Sequence, residues 1–278
     1  LLYLRTAAIN YKVDAIVQVE ESRGASAALL GNLSSVIGQM SSSNAEVEVL
    51  KSRNILESVI NRLNLDLQIT STEDTFVKRL FQGVNYQTEY QPETVRFKEG
   101  QKSFDIRQFE VPATYLDKNL LLQFQQQGFS LINPVTEETI FKGALNQPVQ
   151  FKTAQGDWKI AIFTQDPLDS SYQVQKLSLP SAIDSILANY SIVEKGELSG
   201  ILQLRYQGHD KQHITKVLNT ILAIYSQNNI TRRSAETAQT LAFLDAQLPD
   251  LRKQLDDAER VFNQFRQQHN TVDITRES

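Results

Sequence analysis

The sequence predicts an α+β protein: an α/β base domain interrupted by a β-rich insertion and followed by a long C-terminal helix. Three observations lead there. An alternating strand near the start is followed by a helix and, much later, by a hairpin of matching character. The middle is a succession of short apolar segments between turn residues, holding Trp158 and most of the Phe residues. From Asp210 onward there is no Gly and a single Pro, Pro249.

Val13, Ala15, Val17 and Val19 alternate with Asp14, Gln18 and Glu20, the period of a half-buried strand. Residues 21–44, rich in Ser, Gly, Ala and Asn, predict a loop or a weak helix. Ser43 and Glu46 are spaced as a capping box, which predicts a helix over 46–64 with Val49, Ser52, Leu56, Val59, Ile60 and Leu63 on one side. From about residue 85 to 165, strand-like pieces such as Val95-Arg96-Phe97, Leu120 to Phe124 and Trp158 to Phe163 are separated by Glu99-Gly100, Asn133-Pro134 and Gln155-Gly156-Asp157. Their spacing of roughly 8–12 residues is that of an all-β module. Pro180-Ser181 opens a short helix, and two strands about Lys195-Gly196-Glu197 read as a hairpin with one apolar face. The base domain is therefore expected over 1–84 and 166–209, the insertion over 85–165 and the helical arm over 210–278.

The arm carries two stripes. Ile214, Val217, Leu218, Ile221, Leu222 and Tyr225 recur at helical spacing. Leu241, Leu244, Leu248, Leu251, Leu255, Ala258, Phe262 and Phe265 then step alternately by 3 and 4, an a/d heptad seam between polar flanks. So narrow a seam suits one partner helix, outside this stretch or in another subunit; the alternative is packing on the chain's own core. The seam residues other than Ala258, together with Arg232 and Arg233, are the candidate interaction site. Pro249 inside the seam predicts a kink or break.

Composition narrows the chemistry. The 278 residues carry a net charge of −4, which argues against a nucleic-acid partner. The absence of Cys removes disulfides, thiolate metal sites and thiol nucleophiles, and suits an oxidising bacterial compartment. The sequence holds no GxGxxG, GxxxxGK[ST], HExxH or GxSxG motif. His209 and His213, four apart, have zinc-like spacing without a third ligand, so a solvated helix start is expected there. The reading is of no catalytic, cofactor or metal residues. No apolar run is long enough to span a membrane, but the short segment opening with Leu1-Leu2-Tyr3-Leu4 reads either as the tail of a preceding membrane helix or as a loose N-terminal strand. The chain starts at Leu1 rather than Met and is read as a piece of something longer.

A family resemblance enters through the helical block. Tyr225-Ser-Gln-Asn-Asn-Ile230, Arg233-Ser-Ala-Glu236, Leu241-Ala-Phe-Leu244, Gln247-Leu-Pro-Asp-Leu-Arg252, Leu255, Ala258-Glu259, Phe265-Arg266 and Val272-Asp273 resemble the Wzz/Wzc polysaccharide co-polymerases, or chain-length determinants. The strand from Tyr11 to Glu21, the run from Ala45 to Arg53 and Leu63-Asn-Leu-Asp-Leu67 resemble the same family. The match looks nearest to the periplasmic segment of Wzc-type tyrosine autokinases, and residues 85–165 carry no motif of it. The resemblance implies a membrane-proximal base on the periplasmic side of the inner membrane, held by flanking membrane helices. It implies ring oligomers, octamers in the Wzc type, that work with a polysaccharide polymerase and an outer-membrane export channel. It also implies an ATP-dependent kinase domain elsewhere in the parent, none of whose residues is present. Two other readings stay open: a glycan-binding module whose Tyr86, Tyr90, Tyr115 and Trp158 stack on sugar rings, and a helical adaptor of an export channel.

Overall fold

The computed structural model describes residues 9–19, 42–72, 86–125, 128–165, 169–196 and 199–268. The expectations for residues 1–8 and for nearly all of 21–44 lie outside these. The fold is α+β, as the sequence predicts. Residues up to Tyr225 form one compact unit, and residues from Ser226 form another.

Within the first unit, the base begins with β1 (Tyr11–Gln18). Two helices follow, α1 (Ser42–Leu50) and α2 (Arg53–Leu63). The single helix expected over 46–64 is thus divided. Ser52 takes an extended conformation and is the N-cap of α2, so it cannot belong to a continuous apolar stripe. The capping box also fails, because α1 starts at Ser42 and Ser43 sits inside its first turn, donating its hydroxyl to Glu194 at 2.9 Å.

The insertion contains β2 (Leu67–Ser71), β3 (Tyr86–Gln91), β4 (Thr94–Glu99), β5 (Lys102–Glu110), β6 (Asn119–Gln125), β7 (Gly128–Ile132), β8 (Thr139–Ala144), β9 (Pro148–Thr153), β10 (Gly156–Phe163) and β11 (Ser171–Lys176). These make two five-stranded antiparallel sheets, β3-β4-β5-β10-β9 and β2-β11-β6-β7-β8. Both sheets feed one core containing Phe97, Phe104, Trp158, Ile160, Phe124, Phe129 and Tyr172. Alternation explains most of it: Val95 and Phe97 of β4 point inward between polar neighbours. β5 breaks step, burying Ile106 and then Phe109. A bulge at Arg107 restores the phase against β10, where Ile106 pairs Ile162 but Gln108 pairs Ala161.

The chain enters this module on β2 and leaves on β11, which pair with each other from Leu67 opposite Lys176. Because entry and exit are adjacent, the module can be inserted without stretching the base. At this neck Lys176 Nζ lies 2.6 Å from Asp66 Oδ2. The sequence reading left β2 and β11 in the base; they belong instead to the insertion's second sheet, because Leu67, Ile69, Tyr172 and Val174 bury their side chains in its core.

The chain returns to the base through α3 (Leu179–Leu187), capped by Ser178, whose hydroxyl accepts from the Ser181 N–H. β12 (Tyr190–Glu194) and β13 (Ile201–Gly208) follow, and the base sheet has the order β1-β13-β12. Val13, Ala15 and Val17 pair with Tyr206, Leu204 and Leu202. The buried side of this sheet packs on Ile55, Leu56, Val59, Ile60 and Leu63 of α2, on α3, and on the first turns of α4 (Lys211–Gln268). Asn64 closes α2 in the left-handed region (φ 55°), and its side-chain amide donates to the Gln91 carbonyl at 2.9 Å. Tyr90 packs against both the base core and the insertion core, so it links the two.

Candidate interaction surfaces

α4 presents two kinds of apolar stripe. In the first unit Ile214, Val217, Leu218, Ile221 and Tyr225 are buried, and the Tyr225 hydroxyl donates to Glu46 Oε2 at 2.9 Å. In the second unit the heptad seam lies open. Leu248 is 46% exposed and Leu251 58%, and Leu241, Leu244, Leu255, Phe262 and Phe265 lie between 51% and 60%. The helix runs unbroken through Pro249. The break allowed for there does not occur, since Pro removes one donor but leaves the neighbouring turns hydrogen-bonded. Arg232 and Arg233 are exposed, and Arg232 Nη2 donates to Asn229 Oδ1 at 3.1 Å, one turn back. They lie at the start of the second unit, on the same helix as the seam.

The aromatic residues considered for sugar stacking are largely committed to packing. Trp158 is 1% exposed, with Tyr115 4.8 Å away centroid to centroid. Tyr86 stacks on Phe97 at 5.7 Å, and Tyr90 meets the His213 ring at 4.8 Å.

At the start of α4, expected to be solvated, His209 is exposed but His213 is not. Asp210 caps the helix: its Oδ1 accepts from the Gln212 and His213 N–H groups at 2.7 and 3.0 Å, and its Oδ2 from the Gln87 amide at 2.8 Å. Burial pushes the Asp210 carboxyl up, but these hydrogen bonds outweigh it and hold the group below the ordinary range. His213 is half-buried against Tyr90 because its ring fills the junction between helix and insertion. Burial lowers its pKa first, Asp210 opposes that, and Lys216 adds to it. Burial raises the Tyr90 and Tyr190 hydroxyls and pushes Tyr206 up to about 12. Among the described residues no cluster of His, Asp and Glu could hold a metal.

A second surface was not read from the sequence. One face of α4 and the end of α2 enclose an open groove of about 670 Å³, to which Arg62, Lys211 and Lys216 contribute cations. The only sequence signal for it is the polar face opposite the Ile214–Tyr225 stripe; Arg62 lies far away in the chain.

Comparison with known proteins fits this architecture. A family model described as chain length determinant protein matches residues 1–63, and one described as tyrosine-protein kinase Wzc, N-terminal domain, matches residues 76–166. The second covers the stretch in which no motif was legible. The whole chain is 59% identical, over 278 residues, to a tyrosine-protein kinase ptk of Acinetobacter johnsonii, covering 38% of that protein. It is 29% identical to the tyrosine-protein kinase wzc of Salmonella typhimurium, over all of this chain and 36% of that one. Against the tyrosine-protein kinase etk of Escherichia coli K12 the identity is 31%, over 96% of this chain and 35% of the relative. The chain therefore spans little more than a third of these curated relatives. The chain resembles a chain-length determinant at its N-terminal end and the Wzc N-terminal domain in its middle. Among the described residues no helix is long and apolar enough to cross a membrane.

Proposed function

We propose that this chain is the periplasmic, oligomerising part of a polysaccharide co-polymerase that controls the chain length and export of a capsule or exopolysaccharide. In this reading the base lies against the inner membrane, the seam of α4 takes a partner helix, and subunits assemble as a ring, an octamer in the full protein. The ring works with a polysaccharide polymerase and an outer-membrane export channel. The observation that carries the reading is the presence on one chain of the chain-length-determinant match over 1–63 and the Wzc N-terminal match over 76–166.

The open seam supports the assembly part. Fully burying a Leu or Phe side chain contributes about 1.5–3 kcal/mol, so a helix covering seven half-exposed ones gains several kcal/mol. That is on the scale of a whole domain's stability. Residues 1–278 contain no phosphate-binding GxxxxGK[ST] loop, so the kinase chemistry in the relatives' names is assigned to other parts of such a protein. The burial of Trp158 weighs against the insertion as a sugar-stacking platform.

Deleting the gene and sizing the exported polymer by gel tests the reading. A lost or altered length distribution is expected, restored by the intact gene. An unchanged distribution contradicts it.

A further inference from the structure

We propose that the groove between α2 and α4 is a binding site for an acidic saccharide, with the negative charge held by Arg62, Lys211 and Lys216. The ligand class is read from the groove itself. That the protein meets such a polymer rests on the function proposed above.

The groove's lining includes these three cations and no carboxylate. Arg62, Lys211 and Lys216 form no ion pair among the described residues. The nearby Asp210 is occupied by Gln87 and by two backbone N–H groups of α4. Three uncompensated cations around one concavity favour an anion there.

The hydrogen-bonding groups of the groove distinguish among anions. Thr215 and Thr220 line the same wall, and each has already donated its hydroxyl proton to a carbonyl one turn back, at 2.8 Å in both cases. With those bonds made, their oxygens are left to accept a ligand's hydroxyl proton. The amides of Gln212 and Asn219, on the same face, donate and accept. Pro92, which is exposed, supplies apolar surface opposite. Cations, acceptors for ligand hydroxyls and an apolar wall together suit a sugar ring that carries a carboxylate. A fully ionised phosphate leaves the acceptors unused, and phosphatidylglycerol, whose headgroup has hydroxyls but no sugar ring, is the rival that the vesicle arm of the test addresses. The volume lies within the range of about 300–1,000 Å³ usual for small-ligand sites.

The test uses residues 1–278 and four probes: tetragalacturonate, neutral maltotetraose, inorganic phosphate, and phosphatidylglycerol vesicles. Amide NMR shifts follow the saccharides and phosphate; co-sedimentation follows the vesicles. Tetragalacturonate is expected to shift Gln212, Thr215 and Asn219 saturably, more tightly than the other three. Lys211→Gln or Lys216→Gln is expected to weaken it about ten-fold, consistent with losing one charge-assisted contact. Lys195→Gln, elsewhere in the base, is the control and leaves binding unchanged. Loss of binding in that control as well marks non-specific charge attraction and overturns the proposal. So does tetragalacturonate binding without shifts at the groove, equal or tighter binding of phosphate or vesicles, or no binding at all. Because the gene deletion above separately decides whether the protein governs polymer length, failure of the groove leaves that result standing.

Discussion

The seam and the buried stripe of α4 are two apolar rows on one helix, and the same kind of damage should affect them differently. Leu218 is 1% exposed in the base core, whereas Leu251 is 58% exposed. Leu218→Ala removes buried methyl groups and leaves a cavity, which costs about 2–5 kcal/mol. For a unit of this size each kcal/mol moves the unfolding midpoint by about 2–4 °C, so the base should melt roughly 4–20 °C lower. In Leu251→Asp, 42% of the side chain (100 − 58) was covered at the outset. Scaling full burial by that share gives about 0.6–1.3 kcal/mol, and the new carboxylate stays in water. That loss falls on the second unit, which starts at Ser226, so the midpoint of the base should stay within a degree or two of the unaltered chain. Thermal unfolding followed by far-UV circular dichroism on residues 1–278 makes the comparison. If Leu251→Asp lowers the base midpoint as far as Leu218→Ala does, the seam belongs to the chain's own core and the reasoning fails.

Two further outcomes follow. Trp158→Ala should destabilise the insertion by about 3–5 kcal/mol, read as a lower denaturant midpoint for the insertion's tertiary signal, since Trp158 is 1% exposed. His213 has a pKa below that of an unfolded histidine, so the unfolded chain binds its proton first. Its contribution is complete above about pH 6.5 and declines as the pH falls towards its lower folded value. The groups facing it are Asp210 and Lys216 on its own helix and Tyr90 on β3, with Tyr206 and Asp66 near Tyr90. His213→Gln should flatten the stability profile just below pH 6.5 in urea titrations, and an unchanged slope would count against this role for His213.

Much of the fold was legible because it follows from periodicity. The alternation from Val13 to Val19 made β1, the stripe from Ile214 to Tyr225 made the buried face of α4, and the turn residues marked the strands of the insertion. The neck was not legible. β2 and β11 are short, and their membership of the second sheet depends on pairing across a hundred residues, which no local pattern encodes. The division at Ser52 was hidden because a Ser at helical spacing reads as part of a stripe until its cap conformation is seen. The groove joins Arg62 to Lys211, residues distant in sequence and brought together by the packing of α2 and α4 in the base core. His213 was misjudged because Tyr90, which covers it, belongs to the insertion.

In the function proposed above, the seam is the contact surface through which the protein governs polymer length. The most direct measurement is the length distribution of polymer exported by cells whose full-length protein carries Leu251→Asp, compared with cells carrying Lys253→Asp, a charge change at a heptad position away from the a/d seam. An unpartnered charge buried at a helix contact costs several kcal/mol, whereas the same residue on a solvated face costs well under one. An altered length distribution and smaller assemblies are expected for Leu251→Asp at normal protein level, with Lys253→Asp like the unaltered protein. Unaltered polymer and assembly size in the Leu251→Asp cells would contradict that function.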